Sequence, residues 1–328
     1  MSGYHVPVMV APVLELVLGA PAGAFVDGTL GGGGHTLAIA EALAIRGETR
    51  PLIGIDQDPD ALAHAGVRLA AHPFTAVSGN FRDLAAHIRA HAPGGKASAI
   101  LLDIGVSSHQ LDEASRGFAI KHPEAPLDMR MNPREGQTAL ELVASMDVDA
   151  LGLLLRELEV KDGRRLANAI KDAEQRGELK TTGDLARLVE KNTPWSQKKH
   201  GVHPATLVFQ ALRIAVNDEL GALDQALATA PDVLVPGGRL LVMSYHSLED
   251  RRVKQAFHLG EHGPERPNRL PPPSDWRPTW KVLTRGAVTA SEDEIAKNPR
   301  ARSARLRAAA RVTGSHNQQS PGSTGGGR

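Results

Sequence analysis

Cysteine is absent from this chain of 328 residues. Without a thiol, the chain can form neither a disulfide bond nor a thiolate metal site, and it has no cysteine nucleophile. The lack of disulfide bonds fits a reducing compartment, so we expect a cytoplasmic protein. We also expect no metal ion at the functional site.

Long uninterrupted apolar runs are absent too, and none is long enough to span a membrane. The apolar segment from Val6 to Phe25 is broken by Pro7, Pro12 and Glu15, and no Lys or Arg precedes it. These interruptions are unlike a signal peptide. We therefore expect no membrane partner and predict that the segment forms a first helix packed on the core.

Neither sign of charge is in excess, because 38 Lys and Arg residues face 37 Asp and Glu residues. The formal net charge of +1 predicts no strong overall attraction to nucleic acid, so such a contact would depend on local basic clusters. Most such clusters are solvated faces, but together they could follow a phosphate backbone. They are Arg164-Arg165, Lys198-Lys199, Arg251-Arg252 with Lys254, and Arg300, Arg302, Arg305 and Arg307.

Aromatic residues make up only 3% of the chain, which leaves few side chains to stack on bases. The candidates are Phe118, Trp195, Tyr245, Trp276 and Trp280.

Several apolar runs predict strands that are buried on both faces, as in a parallel sheet. Three of them end in an acid, at Asp27, Asp56 and Asp103. Another, residues 239–243, leads into the polar loop 244–250, and further strands are predicted at 280–284 and 304–310. In open α/β sheets, ligands bind outside the carboxyl ends of the strands, so these acids and loops should surround one crevice.

Four adjacent glycines, Gly31 to Gly34, follow the first strand and precede a predicted helix over residues 36–43. Glycines leave no side chain between the backbone and a ligand. Asp56 is placed to accept hydrogen bonds from both ribose hydroxyls of a nucleoside cofactor. The loop lacks the Gly-x-Gly-x-x-Gly spacing of a dinucleotide site, and Asp27 beside it would repel a pyrophosphate. S-adenosylmethionine, which carries an amino acid moiety and no phosphate, fits the loop better.

Strand patterns stop between about residues 112 and 202, where short helices are predicted at 138–146, 148–159, 164–176 and 182–191. One long helical pattern follows through residue 230, and we interpret it as core packing. These features predict an α/β fold with a doubly wound, mostly parallel sheet and an inserted all-helical domain. The expected domains are residues 1–111 and 203–313 for the two parts of the sheet domain, 112–202 for the insertion, and 314–328 for a disordered tail.

Ordered motifs run through nearly the whole chain. They are residues 5–9, DGTLGGGGH at 27–35, GIDQDP at 54–59, GNFRDL at 79–84, DIGVSSHQLD at 103–112, RGF at 116–118, PLDMRM at 126–131, HPAT at 203–206, FQALRIAVNDEL at 209–220, SYHSLEDR at 244–251 and NPRARSARLR at 298–307. On these motifs the chain resembles the RsmH (MraW) family of S-adenosylmethionine-dependent methyltransferases. Members of that family modify N4 of a cytidine in small-subunit ribosomal RNA.

The resemblance implies a Rossmann-like class I methyltransferase sheet whose insertion recognises RNA. It implies as substrate the cytidine at position 1402 of 16S rRNA, in the usual numbering, and as partner the small ribosomal subunit. The cofactor contacts it implies are Gly33, Gly34, His35, Asp56, Phe81, Asp103 and Gln110. Ser108, Asp128 and His246 are the candidates for contact with the target amine, and Arg116 and Arg130 are expected to face RNA. The oligomeric state stays open, a dimer included.

Five residues depart from the family pattern, namely Leu207, Asn132, His109, Ala119 and Ile120. All lie outside the expected cofactor contacts, so they bear on RNA recognition. Three alternatives stay open on the sequence alone. The first alternative is an NAD-dependent oxidoreductase. The second is a methyltransferase of the same fold that acts on another nucleic acid or on protein, and the third is a non-catalytic RNA-binding protein.

Overall fold

The computed structural model describes residues 7–194, 203–264, 273 and 275–312. Trp195, Lys198, Lys199 and the tail expected at 314–328 lie outside these ranges. The strands are β1 (Ala24–Asp27), β2 (Leu52–Asp56), β3 (Phe74–Ser78), β4 (Ala97–Asp103), β5 (Leu234–Ser244), β6 (Trp280–Val282), β7 (Val288–Thr289) and β8 (Arg305–Arg311). The helices are α1 (Val10–Leu18), α2 (Gly34–Ile45), α3 (Pro59–Arg68), α4 (Leu84–His91), α5 (Ser108–Asp112), α6 (Ala139–Ser145), α7 (Val148–Glu157), α8 (Gly163–Gln175), α9 (Thr182–Asn192), α10 (Thr206–Val216), α11 (Glu219–Val233), α12 (Ser247–His262) and α13 (Glu292–Lys297).

The strands form one sheet in the order β3-β2-β1-β4-β5-β8-β6, with β7 paired to β8. Strands β1 to β5 pair in parallel, and β8 runs antiparallel to β5, β6 and β7. The order reverses between β1 and β4, which creates a switch point at their carboxyl ends. The predicted doubly wound, mostly parallel sheet is confirmed.

Helices cover both faces of this sheet, because successive side chains of a strand point to opposite sides. In β4, Ile100 and Leu102 pack in one core with α4, α11 and α12. Ala99 and Leu101 pack in the other core with α1 and α2. Burial on both faces explains why residues 99–102 of β4 form an uninterrupted apolar run. Helix α1 confirms the predicted first helix packed on the core, and no helix in the described ranges combines the length and apolarity that a membrane crossing needs.

The inserted helices have a core of their own. Helices α6 to α9 lie within one residue or two of the predicted segments at most ends, and their buried side chains include Val143, Leu155, Ile170 and Val189. Between residues 112 and 194, the only strand-like pairing described is an isolated bridge from Pro126 to Thr181. Buried side chains of α10 also belong to this second core. The domain boundaries themselves stay predictions.

The single helix predicted through residue 230 is wrong, because the chain breaks between α10 and α11. Asp218 has a left-handed backbone with a φ of 43°, which no α-helix continues through. Asn217 is held from outside, since its side chain accepts from the Met131 amide at 2.7 Å and donates to the Met129 carbonyl at 2.8 Å. Helical periodicity continues across the break and therefore hides it.

A buried ion pair connects the sheet domain to the segment that leads into the insertion. Asp58 caps α3, and its Oδ2 accepts from the Arg116 guanidinium at 2.9 Å and from the Gln110 amide at 2.8 Å. The side chains of Asp58 and Arg116 are 2% and 7% exposed. Arg116 also donates to the Met131 carbonyl at 2.7 Å. The expectation that Arg116 faces RNA is therefore wrong, because its guanidinium is buried and bonded to groups of the protein itself.

We predict that Arg116→Met destabilises the fold by about 3–5 kcal/mol, since it leaves the Asp58 carboxylate buried without its cation. Denaturant unfolding followed by circular dichroism measures the loss. Adding Asp58→Asn to that variant should recover part of it, because the orphaned charge is then gone. Arg164→Ala is the control, since the Arg164–Asp149 pair is largely exposed and its loss should leave the midpoint unchanged. An Arg116→Met midpoint equal to that of the control would contradict the assignment.

Candidate functional site

A cleft of about 370 Å³ opens at the carboxyl ends of the parallel strands, at the switch point of the sheet. Its glycine wall comprises the loop after β1 and the ends of β2, β3 and β4. Its helical wall comprises Gln210, Arg213, Asn217 and Glu219 of the α10–α11 region. Most of the residues predicted for the site line this cleft. They are Gly34, His35, Asp56, Phe81, Asp103, Gln110 and His246.

Asp56 ends β2 on the glycine wall. One carboxylate oxygen accepts from the Gly31 amide at 2.7 Å and the other from the Asp58 amide at 2.9 Å. Burial raises the pKa of Asp56 to about 6, with help from nearby Asp58 and Asp27, although the two amides oppose the shift. Each oxygen keeps a further lone pair, so the group can still accept hydrogen bonds from a ligand.

Asp103 ends β4 and joins the two sides of the cleft mouth. Its Oδ1 accepts from the Tyr245 hydroxyl at 2.9 Å, and its Oδ2 lies 3.4 Å from His35 Nε2. Burial lowers the pKa of His35, but the Asp103 and Asp27 carboxylates outweigh it and the net shift is upward. Burial and Asp103 both raise the pKa of the Tyr245 hydroxyl, which stays a donor. The imidazole and the phenol thus hold the Asp103 carboxylate in place.

Asp27 lies behind the cleft and not in it. Its carboxylate accepts from the Thr36 hydroxyl at 2.8 Å and from the Thr29 amide at 3.2 Å, and the residue is 1% exposed. Burial raises the pKa of Asp27 to about 6, while His35 opposes the shift. Asp27 therefore fixes the start of α2, and it meets no ligand with its side chain.

Phe81 and Gln110 line the cleft from opposite ends of the glycine wall. Phe81 opens a 3₁₀ turn capped by Asn80, whose side chain also donates to Gln57 at 2.9 Å. Gln110 closes a capping box on α5, since it accepts from the Ser107 amide while Ser107 accepts from the Gln110 amide. The loop expected after β4 therefore contains a short helix. Gln110 combines a place in the cleft with a structural bond to Asp58.

Gly33 is the one expected cofactor contact outside the cleft lining. It caps α2 with a φ of 73°, a left-handed conformation that favours glycine. A Cβ there would meet Leu69 at 3.2 Å and Ala65 at 3.3 Å. A side chain at position 33 would therefore point toward α3. A substitution there would disturb the packing of α2 against α3, and its side chain would not point toward a ligand in the cleft. Gly31 and Gly32, in contrast, line the cleft.

Two of the three candidates for contact with the target amine are engaged elsewhere. The Ser108 hydroxyl accepts from Arg300, and Asp128 forms a two-pronged ion pair with Arg130 at 2.8 Å from each oxygen. Neither Ser108 nor Asp128 lines the cleft. His246 does line it, but its Nδ1 caps α12 and its Nε2 lies 3.0 Å from Glu249.

The helical wall was missed, because its sequence was interpreted as core packing. One face of α10 is indeed buried, but Gln210, Arg213 and Asn217 line the cleft from another face. Their spacing of three and seven residues is the signal, since it places polar side chains on one side of a helix. Arg213 pairs with buried Glu219 at 2.8 and 3.0 Å. Burial raises the pKa of Glu219 although Arg213 opposes the shift.

Most of the basic clusters are neutralised on the protein itself. Arg164 pairs with Asp149, Arg251 with Glu159, and both Arg305 and Arg307 with Asp250. Arg300 differs, since it lines the cleft and no carboxylate of the described residues is within ion-pair distance of it. Of the four aromatic candidates that the structure describes, Phe118 and Trp280 are buried, and Tyr245 lines the cleft.

A doubly wound sheet with a glycine-rich loop opening onto its switch point defines a Rossmann-like protein with a cleft suited to a nucleoside cofactor. The model of the MraW methylase family matches residues 2–312. The chain belongs to this family. The predicted recognition is therefore confirmed, and S-adenosylmethionine is the cofactor.

Similar proteins cover nearly all of this chain. "Ribosomal RNA small subunit methyltransferase H" of Heliobacterium modesticaldum is 45% identical over 316 residues, covering 95% of this chain and 100% of the relative. The protein of that name from Geobacter sulfurreducens is 44% identical over 316 residues, with 95% and 100% covered. The one from Deinococcus deserti is 46% identical over 310 residues, with 94% and 93% covered.

The glycine wall fits S-adenosylmethionine by its chemistry. Asp56 and Asp103 favour a cationic ligand, and Gly31 admits a close approach of the backbone. His35 is 6% exposed, and its Nδ1 has no hydrogen-bond partner in the part of the chain that the structure describes. A bound ligand can satisfy such an atom. When bound, the cofactor supplies an electrophilic methyl group on a sulfonium.

We predict that cofactor affinity falls as the pH drops through about 6, the pKa of Asp56. Above that pH the group is a carboxylate, which accepts ribose hydroxyls and attracts the cation, and below it the group is neutral. One titrating group limits the fall to about tenfold per pH unit. Calorimetry with S-adenosylmethionine from pH 5 to 8 measures it.

Asp56→Asn should bind more weakly above pH 6 and lose most of this pH dependence. Asp27→Asn is the matched control, because Asp27 has a similarly raised pKa but does not line the cleft. It should keep the fall but move it to a slightly lower pH, because Asp27 helps to raise the pKa of Asp56. An Asp56→Asn profile that parallels the wild type would remove Asp56 from the cofactor site.

Proposed function

We propose that this protein methylates N4 of a cytidine in the decoding region of 16S rRNA, at position 1402 in the usual numbering. Its partner would be the small ribosomal subunit, and its compartment the cytoplasm. The observation that carries the proposal is the near full-length similarity to proteins named ribosomal RNA small subunit methyltransferase H. The expected site residues, Gly33, Ser108 and Asp128 included, stay predictions until they are tested.

The cleft supports a nucleic acid substrate through its charges. Asp56 and Asp103 make the glycine wall acidic, whereas Arg300 lines the cleft with no carboxylate of the described residues within ion-pair distance. A phosphate of the target strand is the anion that such a guanidinium binds best. The cationic cofactor would thus bind beside the acidic side chains, and the anionic RNA strand would bind beside the basic one.

The absence of cysteine supports an amine as the methyl acceptor. Methylation at C5 of cytosine requires a covalent nucleophile, normally cysteine, and the chain has none. An exocyclic amine needs no such adduct. Its lone pair is delocalised into the ring, so it is a weak nucleophile, and alignment with the methyl group should supply most of the rate. The base must be unpaired or flipped to reach the cleft.

Methyl transfer from labelled S-adenosylmethionine tests the proposal. Small subunits, free 16S rRNA, DNA and bulk protein from cells lacking the gene serve as substrates, and mass spectrometry of RNA fragments locates the methyl group. We expect one methyl group on N4 of a single cytidine of 16S rRNA. Methylation of DNA or protein in its place, or of another RNA position, would overturn the proposal.

We further predict that Arg300→Gln weakens RNA binding and makes it less dependent on salt. Loss of one phosphate contact should flatten the slope of log affinity against log salt by about 0.7 to 0.9. Fluorescence anisotropy with labelled RNA, at several salt concentrations and with saturating S-adenosylhomocysteine, measures the slope.

Arg302→Gln is the control for this change, because Arg302 belongs to the same 3₁₀ turn but does not line the cleft. Its slope should match the wild type. If Arg300→Gln instead weakened cofactor binding and left the slope unchanged, Arg300 would contact the carboxylate of the cofactor and not RNA.

A further inference from the structure

The residue that orients the target amine must offer a hydrogen-bond acceptor inside the cleft. The acceptors suggested by the sequence do not meet this requirement. Ser108 and Asp128 lie outside the cleft lining. His246 lines the cleft, but its Nδ1 already accepts from the Glu249 amide, so in the neutral ring Nε2 carries the hydrogen and is a donor. An acceptor therefore has to be sought among the other polar side chains that line the cleft.

The helical wall presents three polar side chains from one face of α10 at positions i, i+3 and i+7. Two of them are committed. Asn217 bridges Met129 and Met131, and Arg213 is paired at both ends of its guanidinium with Glu219. Gln210 is half-buried, and its amide has no hydrogen-bond partner among the described residues.

Resting on the proposed function, we infer that Gln210 holds the target cytosine by its amine. A glutamine amide carries an acceptor beside a donor, and the cytosine edge carries the N4 donor beside the N3 acceptor. The Gln210 carbonyl accepts one N4 hydrogen, and its NH₂ group donates to N3. This pairing fixes the N4 and N3 edge of the base at the helical wall and leaves one face of the amine open to the methyl donor.

The bond to Gln210 also helps the chemistry. An acceptor on one N4 hydrogen favours the localised lone pair over its delocalisation into the ring. That lone pair forms the new N–C bond while the C–S bond breaks, and the electron pair of the broken bond stays on sulfur. The methylated nitrogen then releases one proton to water. Gln210 neither gains nor loses a proton, so its contribution is positional.

Gln210→Leu and Gln210→Glu test this assignment, because leucine removes both the acceptor for N4 and the donor to N3, whereas glutamate keeps the acceptor and loses only the donor. Gln225→Leu is the matched control, since Gln225 is an exposed glutamine of the adjacent helix α11. Each variant is measured for melting temperature, for affinity toward S-adenosylmethionine and, with S-adenosylhomocysteine bound, for affinity toward 16S rRNA. Single-turnover methyl transfer completes the set.

We expect Gln210→Leu to lower the single-turnover rate by about a hundredfold, while cofactor affinity stays unchanged and RNA affinity falls less than tenfold. Gln210→Glu should recover at least tenfold of the lost rate, and Gln225→Leu should match the wild type. If Gln210→Leu does not fold, Gln210→Ala replaces it in the same comparison, with the same expectation.

Three results would overturn the assignment of Gln210. They are a wild-type rate in the leucine variant, a loss of cofactor affinity equal to the loss of rate, and a glutamate variant as slow as the leucine variant. Failure of the proposed function is distinguishable from all three, because the wild-type protein itself would then not methylate 16S rRNA.

Discussion

The buried ion pair between Asp58 and Arg116 fixes the spacing between the two walls of the cleft. On one side, the Asp58 amide holds the Asp56 carboxylate at the end of β2. On the other, Arg116 holds the Met131 carbonyl, and the Met131 amide binds Asn217 at the end of α10. A continuous set of hydrogen bonds thus runs from the glycine wall to the helical wall. Since alignment of a weak nucleophile is the main task of such a site, a fixed spacing is what the fold has to supply.

The charges of the cleft complete this arrangement. Three strands end in acids, and loss of solvation raises the pKa of Asp27 and Asp56 to about 6. Asp27 is satisfied internally, which leaves Asp56 and Asp103 to attract a cation. The His35 imidazole and the Tyr245 hydroxyl hold Asp103 in place, and the hydroxyl is a neutral donor. Two arginines line the cleft: Arg213 is paired with Glu219, whereas Arg300 has no carboxylate of the described residues within ion-pair distance.

Sequence reasoning located the strands and their terminal acids, because burial on both faces leaves an unmistakable apolar run and a sharp polar end. It placed Asp56 and Asp103 in one cleft for the same reason, whereas the place of His35 was implied by the family resemblance. It missed the break at Asp218, since periodicity runs on across a kink that is set by contacts with Met129 and Met131, almost ninety residues earlier in the chain. It also could not show that the Cβ direction of Gly33 points toward α3, or that Arg116 is buried, because both depend on tertiary packing.

The most direct test of this account is a crystal structure of the protein with S-adenosylhomocysteine and a cytidine nucleotide. The account predicts that the ribose hydroxyls lie within hydrogen-bond distance of the Asp56 carboxylate and that the cofactor crosses the carboxyl ends of β1, β2 and β4. It also predicts that the N4 and N3 edge of the cytosine lies against the helical wall, with one face of the amine toward the sulfur. A cofactor bound away from Asp56, or a base seated anywhere but between the two walls, would contradict it.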